Sequence, residues 1–335
     1  VAAEPTHAEG YLGLARVALG RGDVAGARGR LEQALKVEPR LPPALATYGE
    51  LLWREHDLPG ARTALRTAVG IDTRDARARM RLGAVELELG EGDAAVSDLL
   101  AASNLDMQSA ETRFWYGKAL LAKGESPAAI EQLKKAVELD PQSARYQLQL
   151  GQALERSGAV TEAADAYRAS IAHDARFIEA YEALAALLGA QNRFAEAQAP
   201  LEKALELAPR EQRLRVQLGD VKARLGRHAE ALALYQAALK ADPRLVSLYY
   251  KIARVQHQAS GMKTALPWYE RAAREEPANA MPHYYLGFAY KERGQRAKAV
   301  AAFRAYLKAR PDADDRKDIE GEIDDLGGAR AEKDR

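Results

Sequence analysis

The chain has 335 residues, of which 47% are hydrophobic and 29% charged, with 25 Gly and 14 Pro. That composition excludes a collagen-like or Pro/Gly-rich disordered chain and leaves ample apolar material for a core. Lys and Arg number 49 against 48 Asp and Glu, a formal charge of +1, which argues against a globally basic nucleic-acid binder.

Cys is absent, so disulfides and thiolate metal sites are excluded. No apolar run approaches the roughly 18 residues of a membrane span, so direct membrane insertion is not expected. The N-terminus lacks a basic region followed by an apolar stretch, so no signal peptide is visible. Starting at Val1 without Met, the sequence reads as processed or as a piece of a longer chain.

In chain order, an extension over residues 1–7 precedes a gapless internal repeat of 34 residues. Nine units, covering 8–313, start at Ala8, Pro42, Ala76, Ala110, Ala144, Ile178, Gln212, Val246 and Ala280. The fourth, seventh, eighth and eleventh positions recur at helical spacing, as do the twentieth, twenty-fourth and twenty-seventh, which predicts two helices, A and B, per unit. The eighth position holds only Gly or Ala and the twentieth only Ala, so two backbones are expected to come close there. Large apolar residues fill the seventh position, from Leu14 to Leu286, and the twenty-fourth, from Leu31 to Phe303.

Between the helices, the fifteenth position reads Gly22, His56, Gly90, Gly124, Gly158, Asn192, Gly226, Ser260 and Gly294, mostly residues that tolerate positive φ and stop a helix. Six units end on Pro, which terminates helix B. Pro200 and Pro267 fall near the start of their B helices and are expected to tilt repeats 6 and 8. After the repeats, Ile319, Ile323 and Leu326 form one apolar stripe in a charged segment, predicting a capping helix over 314–326. Residues 327–335 read as a flexible tail.

This pattern resembles the tetratricopeptide repeat, with "AIEQLKKAVELDPQSARYQLQLGQALERSG" close to that family's consensus. The resemblance covers residues 8–313. It implies an all-α, right-handed superhelical solenoid of antiparallel helix pairs. It also implies a concave groove lined by helix A, in which a peptide, a helix or a folded protein partner binds. Groove contacts in the family come mainly from the second, fifth, ninth and twelfth positions. On that basis the candidate partner-binding residues are Trp53, Phe114, Lys118, Tyr250, Arg254, His257, Met281, Tyr284, Phe288 and Lys291, to which Arg224 is added from a basic run over Gln212 to His257. Repeats 8 and 9 stand out, since ten of the chain's 22 aromatics lie between Val246 and Tyr306. Tyr250, Tyr284 and Phe288 lie outside the core columns, so they read either as anchors for a partner or as padding against the cap.

Charge is uneven. Gln212 to His257 carries nine basic against three acidic residues, whereas Asp312 to Asp325 carries eight acidic against two basic. A positive wall suits an acidic partner; ordinary solvated helix faces are the plain alternative.

Two known groove chemistries of the family are missing. No Lys stands at the fifth position and no Asn at the ninth, so the clamp for a chaperone's C-terminal carboxylate is not formed; nor is an asparagine ladder. The six His lack zinc-site spacing, and Gly20, Gly22 and Gly26 miss the dinucleotide pattern and follow a helix. Neither enzyme activity nor a cofactor or metal is expected. The ending "YLGFAYKERGQRAKAVAAFRAYLKARPDADDRKDIEGEI" resembles long bacterial tetratricopeptide proteins of gliding-motility, pilus and polarity systems, some of which engage a small Ras-like GTPase. That resemblance implies a bacterial scaffold, with a cytoplasmic location and the periplasm as alternative. The other readings are an envelope assembly factor for a secretin or pilus, or the substrate-recruiting arm of a larger enzyme.

Overall fold

A computed structural model describes residues 7–327 and contains 19 helices and no strand among them. The expected extension before His7 and the tail beyond Gly327 lie outside the described residues. Two compact units divide between Ala183 and Leu184. The first holds α1 (Ala8–Gly20), α2 (Val24–Val37), α3 (Pro42–Arg54), α4 (Leu58–Ile71), α5 (Ala76–Glu88), α6 (Gly92–Leu105), α7 (Ala110–Ala122), α8 (Ser126–Leu139), α9 (Ala144–Arg156) and α10 (Val160–His173). The division falls within α11 (Ile178–Ala190). The second unit continues with α12 (Phe194–Leu207), α13 (Gln212–Arg224), α14 (His228–Ala241), α15 (Leu248–Ser260), α16 (Met262–Glu275), α17 (Ala280–Glu292), α18 (Arg296–Ala309) and α19 (Arg316–Asp325).

Odd-numbered helices from α1 to α17 are the A helices and even-numbered ones the B helices. Leaving aside α11, at which the units divide, each A helix packs on its own B helix, and each B helix on the next A helix of its unit. In the first unit successive A helices also touch: α1 with α3, α3 with α5, α5 with α7, and α7 with α9.

The close approach lives at two columns. All nine Ala of the twentieth position, from Ala27 to Ala299, are fully buried. A Cβ added at Gly117 would stand 2.6 Å from Leu133 Cγ and 3.2 Å from the Ala129 carbonyl oxygen. At Gly151 it would stand 2.5 Å from the Tyr167 ring, and at Gly287 2.3 Å from the Phe303 ring. The eighth position of helix A is thus the seat on which the twenty-fourth residue of helix B rests. Apolar clusters then cross the repeat borders: Leu31 and Ala34 join Ala44 and Leu51, and Ala238 joins Leu248 and Ile252. One repeat alone would leave these faces in water.

The turn from A to B is set by one backbone conformation. Position fifteen has positive φ in eight repeats, including His56 (φ 63) and Asn192 (φ 59). The next N–H bonds back to the eleventh residue's carbonyl, as in Asp57 N–H to Leu52 O at 2.9 Å, closing the helix end. Repeat 8 departs from the column. Its A helix starts two residues late, at Leu248, and runs through Ser260, so the positive φ moves to Gly261 (φ 81).

Three further sequence expectations change. Leu14 is 40% exposed, because among the described residues no helix precedes α1 to cover the seventh position. Pro200 and Pro267 lie inside α12 and α16, not near their starts, and both helices continue through them. The eleventh position is not uniformly apolar: Glu86 and Lys222 occupy it and are still buried. Glu86 accepts from Arg66 Nη2 at 2.8 Å, while its Oε2 has no partner. Lys222 donates to Glu230 at 2.8 Å and pairs with Glu202 at 3.1 Å. At the C-terminal end α19 lays Ile319 and Ile323 on Phe303 and Tyr306, and Tyr306 donates to Asp315 at 2.7 Å.

Two predictions follow from this packing. Gly117→Ala is expected to cost roughly 1–3 kcal/mol by overpacking, whereas Gly29→Ala, with nothing near its added Cβ, gains up to about 1 kcal/mol of helix propensity. Thermal melting of both variants checks this, and similar midpoints would contradict it. Burial holds the Glu86 carboxyl above the usual carboxylate range, against the pull of Arg66. Its contribution to stability is therefore present below the unfolded pKa and lost as pH rises through the raised value. Melting midpoints should show Glu86→Gln gaining on the wild type as pH rises above the usual carboxylate range; a difference independent of pH would refute the assignment.

Candidate interaction surfaces

In the first unit the A helices α3, α5, α7 and α9 line a cavity of about 420 Å³. The side chains facing it come from the second, sixth, ninth, twelfth and thirteenth positions of successive repeats. Trp53 and Trp115 form its aromatic wall, with ring centroids 5.5 Å apart. Trp53 Nε1 donates to Glu88 Oε2 at 3.0 Å. Arg81, 8% exposed, pairs with Glu50, which also accepts from Arg54 at 2.7 Å. Lys118 Nζ lies 4.4 Å from the Trp115 ring centroid, and the Arg145 guanidinium 4.2 Å from that of Phe114. Burial, followed by the Arg145 charge, pushes the Lys118 ammonium pKa down.

The structure corrects one candidate here. Phe114 is 1% exposed and stacks on Tyr146 at 4.9 Å, so it is core and offers no surface to a partner. The reason is general in this unit. Contact between successive A helices buries the fifth position, as at Met80, Phe114 and Leu148.

The second unit has a cavity of about 520 Å³ between α13 and α15, with the α14 residue Tyr235 at its floor. Asp220 is its centre, accepting from the Tyr235 hydroxyl at 2.7 Å and from Lys251 Nζ at 2.7 Å. Burial and the hydrogen bond to Asp220 raise the Tyr235 pKa. Arg224 and Arg254 flank the cavity. Arg224 covers the Phe194 ring at 4.7 Å and reaches Asn192 Oδ1 at 3.3 Å, and Arg254 lies 5.9 Å from the Tyr250 ring. His257 sets its ring edge-on against Tyr269 and Tyr285, with centroids at 6.1 and 5.7 Å.

The basic wall read from the sequence is partly internal. Lys222 is buried in its ion pairs, Lys251 is bound to Asp220, and Arg244 is held by Asp242. Arg224 and Arg254 remain exposed, with no carboxylate partner among the described residues.

Repeat 9 is organised differently. Tyr284 and Phe288 are half-buried, 5.0 Å apart, and pack on the cluster that holds Phe303, Tyr306, Ile319 and Ile323. Lys291 pairs with Glu322 of α19. Met281 is half-buried, and its backbone N–H donates to the cap residue Asn279 at 3.3 Å. Tyr284, Phe288 and Lys291 thereby hold the cap helix on the last repeat. Burial and the hydrogen bond to Asp315 push the Tyr306 pKa up to about 12.

The sequence reading missed the sixth position. It supplies Arg81 and Trp115 to the first cavity, Lys251 to the second, and Tyr285 beside His257. Large or charged residues in that column, with no core role assigned to them, were the available signal. Among the described residues, no three His, Asp or Glu gather as metal ligands, and no helix is long and apolar enough to cross a membrane.

Paired helices sharing cores across a fixed period define an α-helical repeat protein. Tetratricopeptide repeat families match residues 18–84, 117–158, 182–246 and 283–313. The chain belongs to the tetratricopeptide repeat proteins. Among solved structures it is similar to a tetratricopeptide repeat protein from Parabacteroides merdae, with TM-score 0.55 and 19% identity over 74% of this chain and 98% of that one. It is also similar in fold to PilF of Pseudomonas aeruginosa, with TM-score 0.51 and 22% identity over 64% and 97% of the two chains. Comparison with curated proteins gave no match.

The repeat 9 geometry makes a prediction. Phe288→Ala is expected to cost roughly 2 kcal/mol, by removing half-buried aromatic packing under the cap. Hydrogen exchange should then show α19 losing protection while α13 keeps its own; unchanged exchange in α19 would contradict the packing role.

Proposed function

We propose that the protein is a non-catalytic scaffold that binds a protein partner along the A-helix faces of its repeats. In the second unit the contact set is Arg224 and Arg254 at the cavity centred on Asp220, with Tyr250 and His257 beside them on α15. One observation carries this reading. Arg224 and Arg254 flank a cavity, exposed and without a carboxylate partner among the described residues, in a fold whose packing leaves that face uncovered. Unpaired guanidinium groups beside aromatic rings are suited to recognising an acidic protein surface and to steering its approach.

The partner class suggested by the sequence resemblance, a small Ras-like GTPase, enters the test as one arm beside selection from a peptide-display library. A selected partner should bind roughly tenfold or more weakly to the Arg224→Glu, Arg254→Glu double variant, and more weakly at high salt. Binding indifferent to both changes would remove this surface from the account.

A further inference from the structure

The cavity of the first unit has a chemistry of its own. Five cations stand at or beside it, and two of them, Arg54 and Arg81, share Glu50. The other three, Arg77, Lys118 and Arg145, have no ion pair among the described residues. Lys118 and Arg145 instead lie over the rings of Trp115 and Phe114, which attract them only weakly compared with a carboxylate. Two further acids face the cavity: Glu88, which accepts from Trp53, and Glu111. The site therefore keeps a cationic surplus.

A second observation points the same way. Trp115 is 4% exposed, and its indole N–H has no acceptor. Its neighbour Trp53 is satisfied by Glu88. A buried donor left without an acceptor is costly, and a ligand oxygen would relieve it. Lys118 and Arg145 are the groups that cover that ring.

We propose that this cavity binds a side-chain carboxylate from an extended acidic segment of a protein partner. Arg77, Lys118 and Arg145 supply the charge-assisted hydrogen bonds. As the two stacked cations turn to the carboxylate, the Trp115 N–H becomes open to its second oxygen, and Trp53 packs on the apolar part of the segment. The proposal rests on the scaffold reading and adds a subsite and ligand chemistry separate from the Asp220 cavity. It differs from a terminal-carboxylate clamp, because its donors are guanidinium, ammonium and indole groups set on an aromatic floor.

The test uses the full chain carrying Trp268→Phe with excitation selective for tryptophan, so that Trp53 and Trp115 alone report. The probe is a short Asp/Glu-rich peptide without aromatic residues and with both ends blocked. A saturable change in emission is expected, weakened roughly tenfold or more by Arg145→Glu and by Arg77→Glu. Both replaced side chains are exposed and outside any ion pair, so folding, checked by circular dichroism, should persist. The Asn/Gln version of the peptide should give no change. Equal response to that peptide, response only when the peptide's C-terminus is free, the same response to inorganic phosphate or single-stranded RNA, or no effect of either Arg variant would overturn the proposal. Loss of peptide binding in the Arg224→Glu, Arg254→Glu variant would place the site in the second unit and overturn it too. If partner capture through Arg224 and Arg254 survives while the peptide fails to bind, the subsite falls and the scaffold reading stands.

Discussion

The contact between the eighth residue of each A helix and the twenty-fourth of its B helix governs this molecule. A residue with one side-chain carbon or none lets a Leu, Tyr or Phe lie directly on the opposing helix, as Leu133 does on Gly117 and Tyr167 on Gly151. The fully buried Ala column at position twenty completes the seat. Interiors packed this closely have little slack, so the constraint acts on backbones and not only on side chains. It fixes how each pair meets, and the pair then presents its outer apolar faces to the next repeat.

That geometry decides what is left for recognition. Where successive A helices touch, the fifth position is sealed between them, which is why Phe114 is core. The second, sixth, ninth, twelfth and thirteenth positions supply most of the lining of both cavities. Charge enters the interior only where it is answered, as Lys222 is by two glutamates, or incompletely answered, as Glu86 is by Arg66. Lys118, Arg145, Arg224 and Arg254, which have no ion pair among the described residues, lie instead over aromatic rings at or beside the cavities.

Much of the fold was legible in the sequence because period and residue size are one-dimensional signals. The Gly and Ala columns, the turn residues His56 and Asn192, and the stripe of Ile319 and Ile323 could all be read without coordinates. What could not be read depends on neighbours. Leu14 looks like any other seventh-position residue, yet it is exposed because no helix among the described residues precedes α1 to cover it. Ser260 sits in the turn column, but the two-residue delay of α15 hands the turn to Gly261. The candidate site was legible only in part. Trp53, Arg224 and Arg254 line cavities and Lys118 lies over the Trp115 ring beside one, but Phe114 is buried by contacts between repeats, and Tyr284, Phe288 and Lys291 face the cap helix. Trp115 and Arg145 escaped notice because their pairing with one another crosses two repeats.

The most direct measurement is a double-mutant cycle between Gly117 and Leu133, read by equilibrium unfolding. If the methyl added by Gly117→Ala is costly because it meets the Leu133 side chain, then in the presence of Leu133→Ala it should cost far less. The coupling should be favourable and on the order of 1 kcal/mol or more. Strictly additive effects would show that the two helices do not meet at this contact, and would contradict the packing on which the account stands.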